Sequence, residues 1–323
     1  MRKWKVSYRN QRVINVWLVD GERGEPLAAL YFSREKRLRK GNKQRSVTQY
    51  GLATIDLATP TSRGTWMLTT PEKRSRGSYE IYPTGGHLAW ADHPTQGLRV
   101  LDLRKPALVL GRAQLQSTLG APSSYRLSGA RGDVATIVLS DGSKRYVDTT
   151  GKLHETPPPN EIAAAPAFHC PRKHGYRRLC AQKQCAGFTR VEGSTTWRLA
   201  YQGPGRRVND PKPASADAAP LIRPLLVWNA RRGLCAVEHD GKVLVAHAST
   251  AVGKSKGLLS LVDSSGKIVW TRPLELRMYN LVGATVHGGW IYVLSRGKHG
   301  SYARLSLDGR QFSVHPLMPK PNK

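Results

Sequence analysis

An acidic residue that follows an aliphatic residue and precedes a turn recurs along the chain at nearly constant spacing. The six acids are Asp56, Asp102, Asp148, Glu192, Asp263 and Asp308. The intervals between them are 46, 46, 44, 71 and 45 residues. A period of about 40–50 residues among short β-like runs is typical of propeller blades, each a four-stranded antiparallel sheet. The spacing therefore predicts an all-β fold, a β-propeller of six blades in a single domain over residues 1–323.

The clearest unit is "LLSLVDSSGKIVW" at 258–270, in which a Ser-Ser-Gly turn separates two apolar strands. No long segment shows the apolar periodicity of a helix. The longest interval contains 201–220, which is rich in Gly and Pro and is predicted to be an inserted loop. A further hairpin at Asp20 would supply either a seventh blade or strands that close the ring. A pair of β-sandwich domains is the competing fold.

The segment "LVDSSGKIVW" resembles the quinoprotein-like (PQQ-like) and WD40-type repeats of β-propellers, and "YVDTTGKLHE" is similar to it without the tryptophan. The resemblance implies blade architecture across most of the chain. Cofactor binding in the quinoprotein family involves two adjacent cysteines and a calcium site, and this sequence has no Cys-Cys pair. The resemblance thus implies the fold and no quinone cofactor. Trp66, Trp197 and Trp270 follow hairpin turns, which predicts that they pack between blades.

The charge of the chain is strongly positive, with 51 Lys and Arg against 22 Asp and Glu and a net charge of +29. Such a field attracts polyanions, so nucleic acid is the leading candidate partner. An acidic protein, an anionic lipid surface, or neutralisation within a hetero-complex would fit the same charge. Cations concentrate at 34–45, which we expect to be a basic loop, and at 172–178, where Tyr176 could stack on a base. The predicted nucleic-acid-binding residues are Arg34, Lys36, Arg37, Arg39, Lys40, Arg172, Lys173, Tyr176, Arg177 and Arg178.

The segment 156–186 is a predicted blade segment that contains three of the four cysteines. Cys170, His174, Cys180 and Cys185 supply the four thiolate and imidazole ligands that zinc prefers, although their spacing is irregular. With Glu192 at the turn after the third strand, Cys180 and Cys185 flank the connection between the second and third strands. A structural zinc ion, a disulfide and reduced cysteines are the three alternatives. Cys235 is predicted to be a buried strand residue.

Sequence signals of catalysis are absent: no HExxH, GxSxG or kinase-type set occurs, and the ten histidines are scattered. The stretch "ASTAVGKS" at 248–255 resembles a phosphate-binding loop, but a β-like run follows it where a helix is required. We therefore interpret it as a strand connection that exposes Lys254 and Lys256. A propeller hydrolase or lyase remains the less favoured alternative.

These observations favour a non-enzymatic basic β-propeller that acts as a nucleic-acid-binding or scaffold subunit of a larger complex. The alternative is a protein-interaction propeller of a prokaryotic system that pairs a MoxR-type AAA ATPase with a von Willebrand-type domain, by analogy of fold. The segment that follows Met1 lacks the continuous apolar core of a secretory signal, and no apolar run approaches the length of a membrane span. We therefore expect a cytoplasmic protein.

Overall fold

The computed structural model describes residues 5–40, 43–68, 79–84, 86–93, 97–120, 125–131, 133–156, 179–181, 184–202, 212–227, 238–251, 257–274, 276, 281–296 and 300–318. The chain divides into two compact units. The first comprises Met1–Ala167 with Pro319–Lys323, and the second comprises Phe168–Met318.

The first unit contains three antiparallel sheets, each with four strands paired in chain order. The first sheet consists of β1 (Lys5–Asp20), β2 (Pro26–Lys40), β3 (Lys43–Asp56) and β4 (Thr61–Met67). The second consists of β5 (Glu80–Pro83), β6 (Leu88–Asp92), β7 (Arg99–Asp102) and β8 (Ala107–Leu110). After a short helix, α1 (Arg112–Thr118), the third consists of β9 (Tyr125–Arg131), β10 (Val134–Leu139), β11 (Lys144–Asp148) and β12 (Leu153–His154).

The second unit contains one larger antiparallel sheet and one sheet of four strands. The strands of the larger sheet are β13 (Leu179–Ala181), β14 (Gln184–Arg190), β15 (Thr196–Gln202), β16 (Lys212–Pro213), β17 (Leu221–Leu226), β18 (Glu238–His239), β19 (Lys242–Ala248), β20 (Gly257–Val262) and β21 (Ile268–Leu274). Its main path runs β13-β14-β15-β17-β19-β20-β21, while β16 pairs with β15 and β18 pairs with β19. The last sheet consists of β22 (Leu281–His287), β23 (Trp290–Ser295), β24 (Ser301–Ser306) and β25 (Phe312–Pro316).

The predicted all-β repeat is confirmed, because each of the six acids lies at the turn between two consecutive antiparallel strands. In the four-stranded sheets that contain such a turn, it joins the third strand to the fourth. The hairpin at Asp20 joins β1 to β2, within the same sheet that the Asp56 turn completes. The Asp20 hairpin therefore does not supply a seventh sheet.

The aspartates hold their turns through local hydrogen bonds. The Oδ1 atoms of Asp148, Asp263 and Asp308 each accept a bond of 2.9 Å from the backbone N–H two residues further on. Asp56 and Asp102 accept the equivalent bonds at 2.9 and 2.7 Å. A short carboxylate side chain that satisfies the backbone in this way favours a turn over a continued strand. This chemistry explains why aspartate recurs at the same place in five of the six repeats.

Turns of one sheet pack against the sheet that precedes it within each unit. In the second unit, Trp270 Nε1 donates to the carbonyl of Leu307 at 2.9 Å, and Arg272 Nε donates to the carbonyl of Gly309 at 2.6 Å. In the first unit, Thr54 Oγ1 donates to the carbonyl of Leu103 at 2.6 Å. The predicted packing of a tryptophan between repeats is confirmed for Trp270.

Apolar residues that alternate along the strands fill the space between neighbouring sheets. One cluster in the first unit joins the first and second sheets, and Trp66 packs against it. Trp197 packs against a cluster of the larger sheet in the second unit. Burial of these faces supplies the main driving force for folding, about 25 cal/mol per Å² of apolar surface removed from water.

Two segments differ from the sequence expectation. The 34–45 segment is not a loop, because residues up to Lys40 belong to β2 and residues from Lys43 belong to β3. The predicted inserted loop at 201–220 contains strand residues, since β15 extends to Gln202 and β16 occupies Lys212–Pro213, whereas residues 214–220 lie outside any strand, as predicted. Residues 203–211 lie outside the described residues. No helix in the described part of the chain is long and apolar enough to cross a membrane.

Candidate nucleic-acid interface

The first three strands extend well beyond the rest of their sheet. β1, β2 and β3 have 16, 15 and 14 residues, whereas no other described strand exceeds 7. Residues 5–12, 33–40 and 43–49 form this extension, which we call the basic ribbon. Its Lys and Arg residues are Lys5, Arg9, Arg12, Arg34, Lys36, Arg37, Arg39, Lys40, Lys43 and Arg45, and its single acid is Glu35.

A continuous register holds the basic ribbon as a sheet. Every residue from Leu27 to Lys40 is paired with a residue of β3, and Arg39 also pairs with Lys5 of β1. The 34–45 segment was expected to be a loop because charge runs are usually solvated. The charges are compatible with strands here because alternate side chains of a strand point to opposite faces. Arg12 and Arg39 are exposed in this way while the backbone remains paired.

The register divides the predicted cations between two faces of the basic ribbon. Arg37 and Arg39 are odd-numbered positions of β2 and pair with Ser46 and Gln44 of β3. Directly opposed residues share a face, and the same face includes Arg12 of β1, which pairs with Ser33. We call this the odd face of the basic ribbon.

The odd face is open to solvent. Arg12, Arg39, Ser46 and Thr48 are exposed, and Arg37 is half-buried with a side-chain exposure of 32%. Arg12, Ser46 and Thr48 were missed by the sequence prediction, because only the pairing of three strands places them on the same face as Arg37 and Arg39. These three residues lie outside the charged run at 34–45, so the run gives no indication of them.

On the other side of the basic ribbon, its even face, the described positions of β3 are buried and those of β2 are half-buried. Arg34 and Lys36 lie opposite Gln49 and Val47, which are only 2% and 7% exposed. Arg34 Nε donates to Gln49 Oε1 at 3.1 Å. Arg34 and Lys36 were predicted to bind nucleic acid together with Arg37 and Arg39, but the structure places the two pairs on opposite faces. Lys40 lies at the last position of β2.

Glu35 lies on the odd face and holds Arg37 in place. Arg37 donates from Nε to Glu35 Oε1 at 2.9 Å and from Nη2 to Oε2 at 3.4 Å, and Asn10 Nδ2 donates to Oε2 at 2.7 Å. The hydrogen bonds from Arg37 and from Ser46 lower the pKa of Glu35 below its ordinary value. The carboxylate therefore stays ionised at neutral pH and fixes the direction of one guanidinium.

The second basic cluster predicted from the sequence lies outside the described residues. Its members are Arg172, Lys173, Tyr176, Arg177 and Arg178. The predicted zinc ligands Cys170 and His174 lie outside the described residues as well.

The other two predicted zinc ligands are in the described strands. Cys180 of β13 and Cys185 of β14 are direct partners in an antiparallel pair, so the predicted backbone hairpin is confirmed. Cβ atoms of such partners are about 4.5–5.5 Å apart, which suits either a shared metal ion or, after adjustment, a disulfide. Among the described residues, no group of three or more His, Cys, Asp or Glu could hold a metal ion. The zinc site stays a prediction.

The stretch that resembles a phosphate-binding loop connects two strands. β19 ends at Ala248 and β20 begins at Gly257, so a strand follows the connection where a phosphate loop needs a helix. Residues 252–256 and Cys235 lie outside the described residues.

A buried hydrogen-bonded chain in the same sheet has the residue types of a nucleophile and its base. His247 Nε2 is 2.8 Å from Ser260 Oγ, which is 2.7 Å from Thr271 Oγ1. Ser260 has 0% exposure, so no substrate can reach its hydroxyl. Burial lowers the pKa of His247, against a smaller opposing effect of its bond to the carbonyl of Ala248. The chain therefore acts as a satisfied polar network inside the sheet.

Comparison with known proteins leaves the family of this chain open. No protein family matches the chain, and no curated protein matches it. Among solved structures, BamB from Moraxella catarrhalis is 11% identical over 97% of this chain and 91% of that chain, with a TM-score of 0.25. TolB from Acinetobacter baumannii is 14% identical over 82% of this chain and 64% of that chain, with a TM-score of 0.22. The tricorn protease is 10% identical over 98% of this chain and 36% of that chain, with a TM-score of 0.27.

All three are β-propeller proteins, which agrees with the repeat architecture of this chain. Their TM-scores lie below 0.5, and the fold of this chain rests on its own strand pairing.

Proposed function

We propose that this protein is a nucleic-acid-binding subunit and that its basic ribbon makes the main contact with the polyanion. The observation that carries the proposal is the odd face, on which Arg12, Arg37 and Arg39 lie together on a rigid, paired scaffold. The wider charge of +29 would attract the same partner from a distance.

The chemistry of the basic ribbon matches the sugar–phosphate backbone. Arg guanidinium groups donate two parallel hydrogen bonds to phosphate oxygens, and exposed hydroxyl groups donate single hydrogen bonds to the same oxygens. Because strands fix the backbone, less side-chain and loop ordering is needed on binding than for a loop of the same charge. Each phosphate neutralised releases counterions, so affinity should fall steeply with salt.

The test is a fluorescence-anisotropy titration of the full chain with a labelled nucleic acid at 50 to 200 mM salt. We expect a linear fall of log K with log[salt], at about −0.9 for each phosphate contacted. The variant Arg37→Ala/Arg39→Ala should weaken binding and reduce the slope by about two. The variant Lys144→Ala/Arg145→Ala removes the same charge from exposed positions of β11 and serves as the matched control. Absence of binding at low salt, or equal effects of the two variants, would contradict the proposal.

An acidic protein partner in an ATPase-linked system is the second candidate, and the same odd face would be its docking surface. The exposed guanidinium groups of Arg12 and Arg39 would pair with carboxylates as Arg37 pairs with Glu35. A pull-down with the wild type and with Arg37→Ala/Arg39→Ala, each after nuclease treatment, separates the two candidates. Capture of an acidic partner that survives nuclease and depends on the two arginines would support the second candidate.

The architecture proposed for this subunit is a six-bladed propeller in one domain, with no enzymatic activity. The larger sheet is then two blades whose junction is short, since β15 and β17 share only the pairs Thr196–Ile222 and Trp197–Leu221. The turns at Glu192 and Asp263 each close one of these two blades. Small-angle scattering that fits two separated bodies better than one compact ring would contradict this arrangement.

A further inference from the structure

We infer that the odd face of the basic ribbon binds double-stranded nucleic acid through its phosphates, without reading the bases. The inference rests on the proposed nucleic-acid-binding function and names the class of ligand and the face that takes it. It depends on three properties of the odd face: its donors, its aromatic residues and its dimensions.

The described polar groups of the odd face that project to solvent are almost all hydrogen-bond donors. Arg12 and Arg39 carry guanidinium groups and Thr48 a hydroxyl, while Arg37 donates Nε and Nη2 to Glu35 and keeps its other N–H groups for a ligand, and Ser46 donates to Glu35. These side chains are those that contact phosphate oxygens in complexes with nucleic acid. Glu35 is the acid among them and is already engaged by Arg37 and Asn10. The face is therefore suited to phosphates and poorly suited to the mixed edges of bases.

Aromatic platforms for unpaired bases are missing from the described odd face. Tyr50 is at an odd-face position opposite Ser33, but its ring stacks on Tyr31 at a centroid distance of 5.9 Å and packs against the apolar cluster of the first two sheets. Tyr8 pairs with Lys36, so its position belongs to the even face. Proteins that bind single strands without sequence preference rely on aromatic stacking as well as charge. The composition of this face therefore favours a ligand whose bases stay stacked inside a duplex.

The dimensions of the odd face fit a duplex backbone. Residues 33–40 of β2 span about 23 Å at 3.3 Å per residue, which is the length of about seven base-pair steps at 3.4 Å. Three strands place the outermost backbones about 10 Å apart, against a major-groove width of about 12 Å. Arg12 on β1 and Thr48 on β3 can thus face phosphates on the two sides of one groove. A single strand presents only one such row.

The experiment compares a 20-base-pair duplex with either of its single strands, using the full chain and anisotropy at 100 mM salt. We expect the duplex to bind at least tenfold more tightly, and duplexes rich in A·T or in G·C to bind within threefold of each other. Arg37→Ala/Arg39→Ala should weaken duplex binding at least tenfold. The matched control Arg34→Ala/Lys36→Ala removes the same charge from the even face of the same strand and should weaken it less than threefold.

The outcomes separate the inference from the proposed function. Tighter binding to a single strand, or equal losses for the two double variants, would overturn the inference while leaving nucleic-acid binding intact. No binding to any of the nucleic acids would overturn the proposed function itself. Because a double variant can lose its fold, each is checked by circular dichroism, and Ser46→Glu provides an independent test. This exposed substitution adds an acid to the odd face and should weaken duplex binding at least tenfold.

Discussion

The packing of one repeat on the next can be tested at Gly309, which lies in the turn between β24 and β25. Its φ is +71°, a conformation that L side chains rarely adopt. A Cβ added there would lie 2.7 Å from Cγ of Trp270 and 2.8 Å from its Cδ2, about 1 Å closer than an ordinary carbon contact. Trp270 cannot withdraw easily, because its Nε1 donates to the carbonyl of Leu307 and its ring packs on an apolar cluster.

We expect Gly309→Ala to lower the free energy of unfolding by about 2–5 kcal/mol. About 1–2 kcal/mol of this comes from the left-handed backbone conformation, and about 1–3 kcal/mol from the displaced ring. Gly241→Ala is the matched control in the same unit, since Gly241 has a φ of +70° and its added Cβ would meet nothing within 4 Å. Gly241→Ala should lower the free energy of unfolding only by the roughly 1–2 kcal/mol that comes from the left-handed backbone conformation.

Urea denaturation at pH 7.5, followed by tryptophan fluorescence and circular dichroism, measures both variants against the wild type. A double-mutant cycle with Trp270→Ala then isolates the contact, since without the ring Gly309→Ala should cost no more than Gly241→Ala. The expected coupling energy is about 1–3 kcal/mol. If Gly309→Ala and Gly241→Ala lower the free energy of unfolding equally in the wild-type background, the ring of Trp270 does not pack on this turn. The packing described between the larger sheet and the sheet of β22–β25 would then be wrong.

Three further predictions concern single residues. Burial lowers the pKa of His247, so on acidification this histidine takes up a proton in the unfolded chain before it does so in the folded chain. The free energy of unfolding should therefore fall by up to about 1.4 kcal/mol per pH unit as the pH drops below about 6.5, and His247→Gln should flatten that slope in urea titrations at pH 7.5 and 5.5. Burial alone would raise the pKa of Asp148, but hydrogen bonds outweigh it and lower that pKa to about 2. Its contribution to stability should therefore be present above pH 4 and be lost between pH 4 and 2, and Asp148→Asn should remove this dependence on pH in acid titrations. If zinc is bound, protein purified under reducing conditions without chelator should carry about one zinc ion per chain, and Cys180→Ser/Cys185→Ser should lose it; less than about 0.2 zinc per chain would exclude the site.

The all-β repeat could be predicted because its signals are local. An aspartate that accepts a bond from the N–H two residues on makes a turn wherever the surrounding fold allows one, as at Asp148 and Asp263. The spacing of such turns then indicates the length of the repeating unit. The hairpin between Cys180 and Cys185 was predictable for the same reason, because the turn at Glu192 fixes the strand that precedes it.

The strand conformation of the 34–45 segment was missed by the sequence prediction, because most of what determines it is not local. Strands inside the sheets alternate apolar and polar residues, but β2 changes after Ser33 to a run in which Leu38 is the only apolar residue. What keeps this run in strand conformation is pairing with β1 and β3 on both sides. The connection at 41–42 is Gly-Asn, a pair typical of two-residue hairpins, but the charged residues on both sides of it lack the apolar alternation that marks a strand and its register.

The register decides which cations can act together, and this connects the fold to the proposed function. A net charge of +29 indicates the kind of partner, but the sum is the same for every arrangement of the cations. A slip of one residue between β2 and β3 would change the partner of every cation on β2, because side chains alternate between faces. The covered positions Val47 and Gln49 resist such a slip, since it would bring exposed Ser46 and Thr48 to the covered face. Burial of Val47 and Gln49 therefore holds Arg37 and Arg39 on the face that we propose to bind nucleic acid, although neither buried residue is part of that proposed contact.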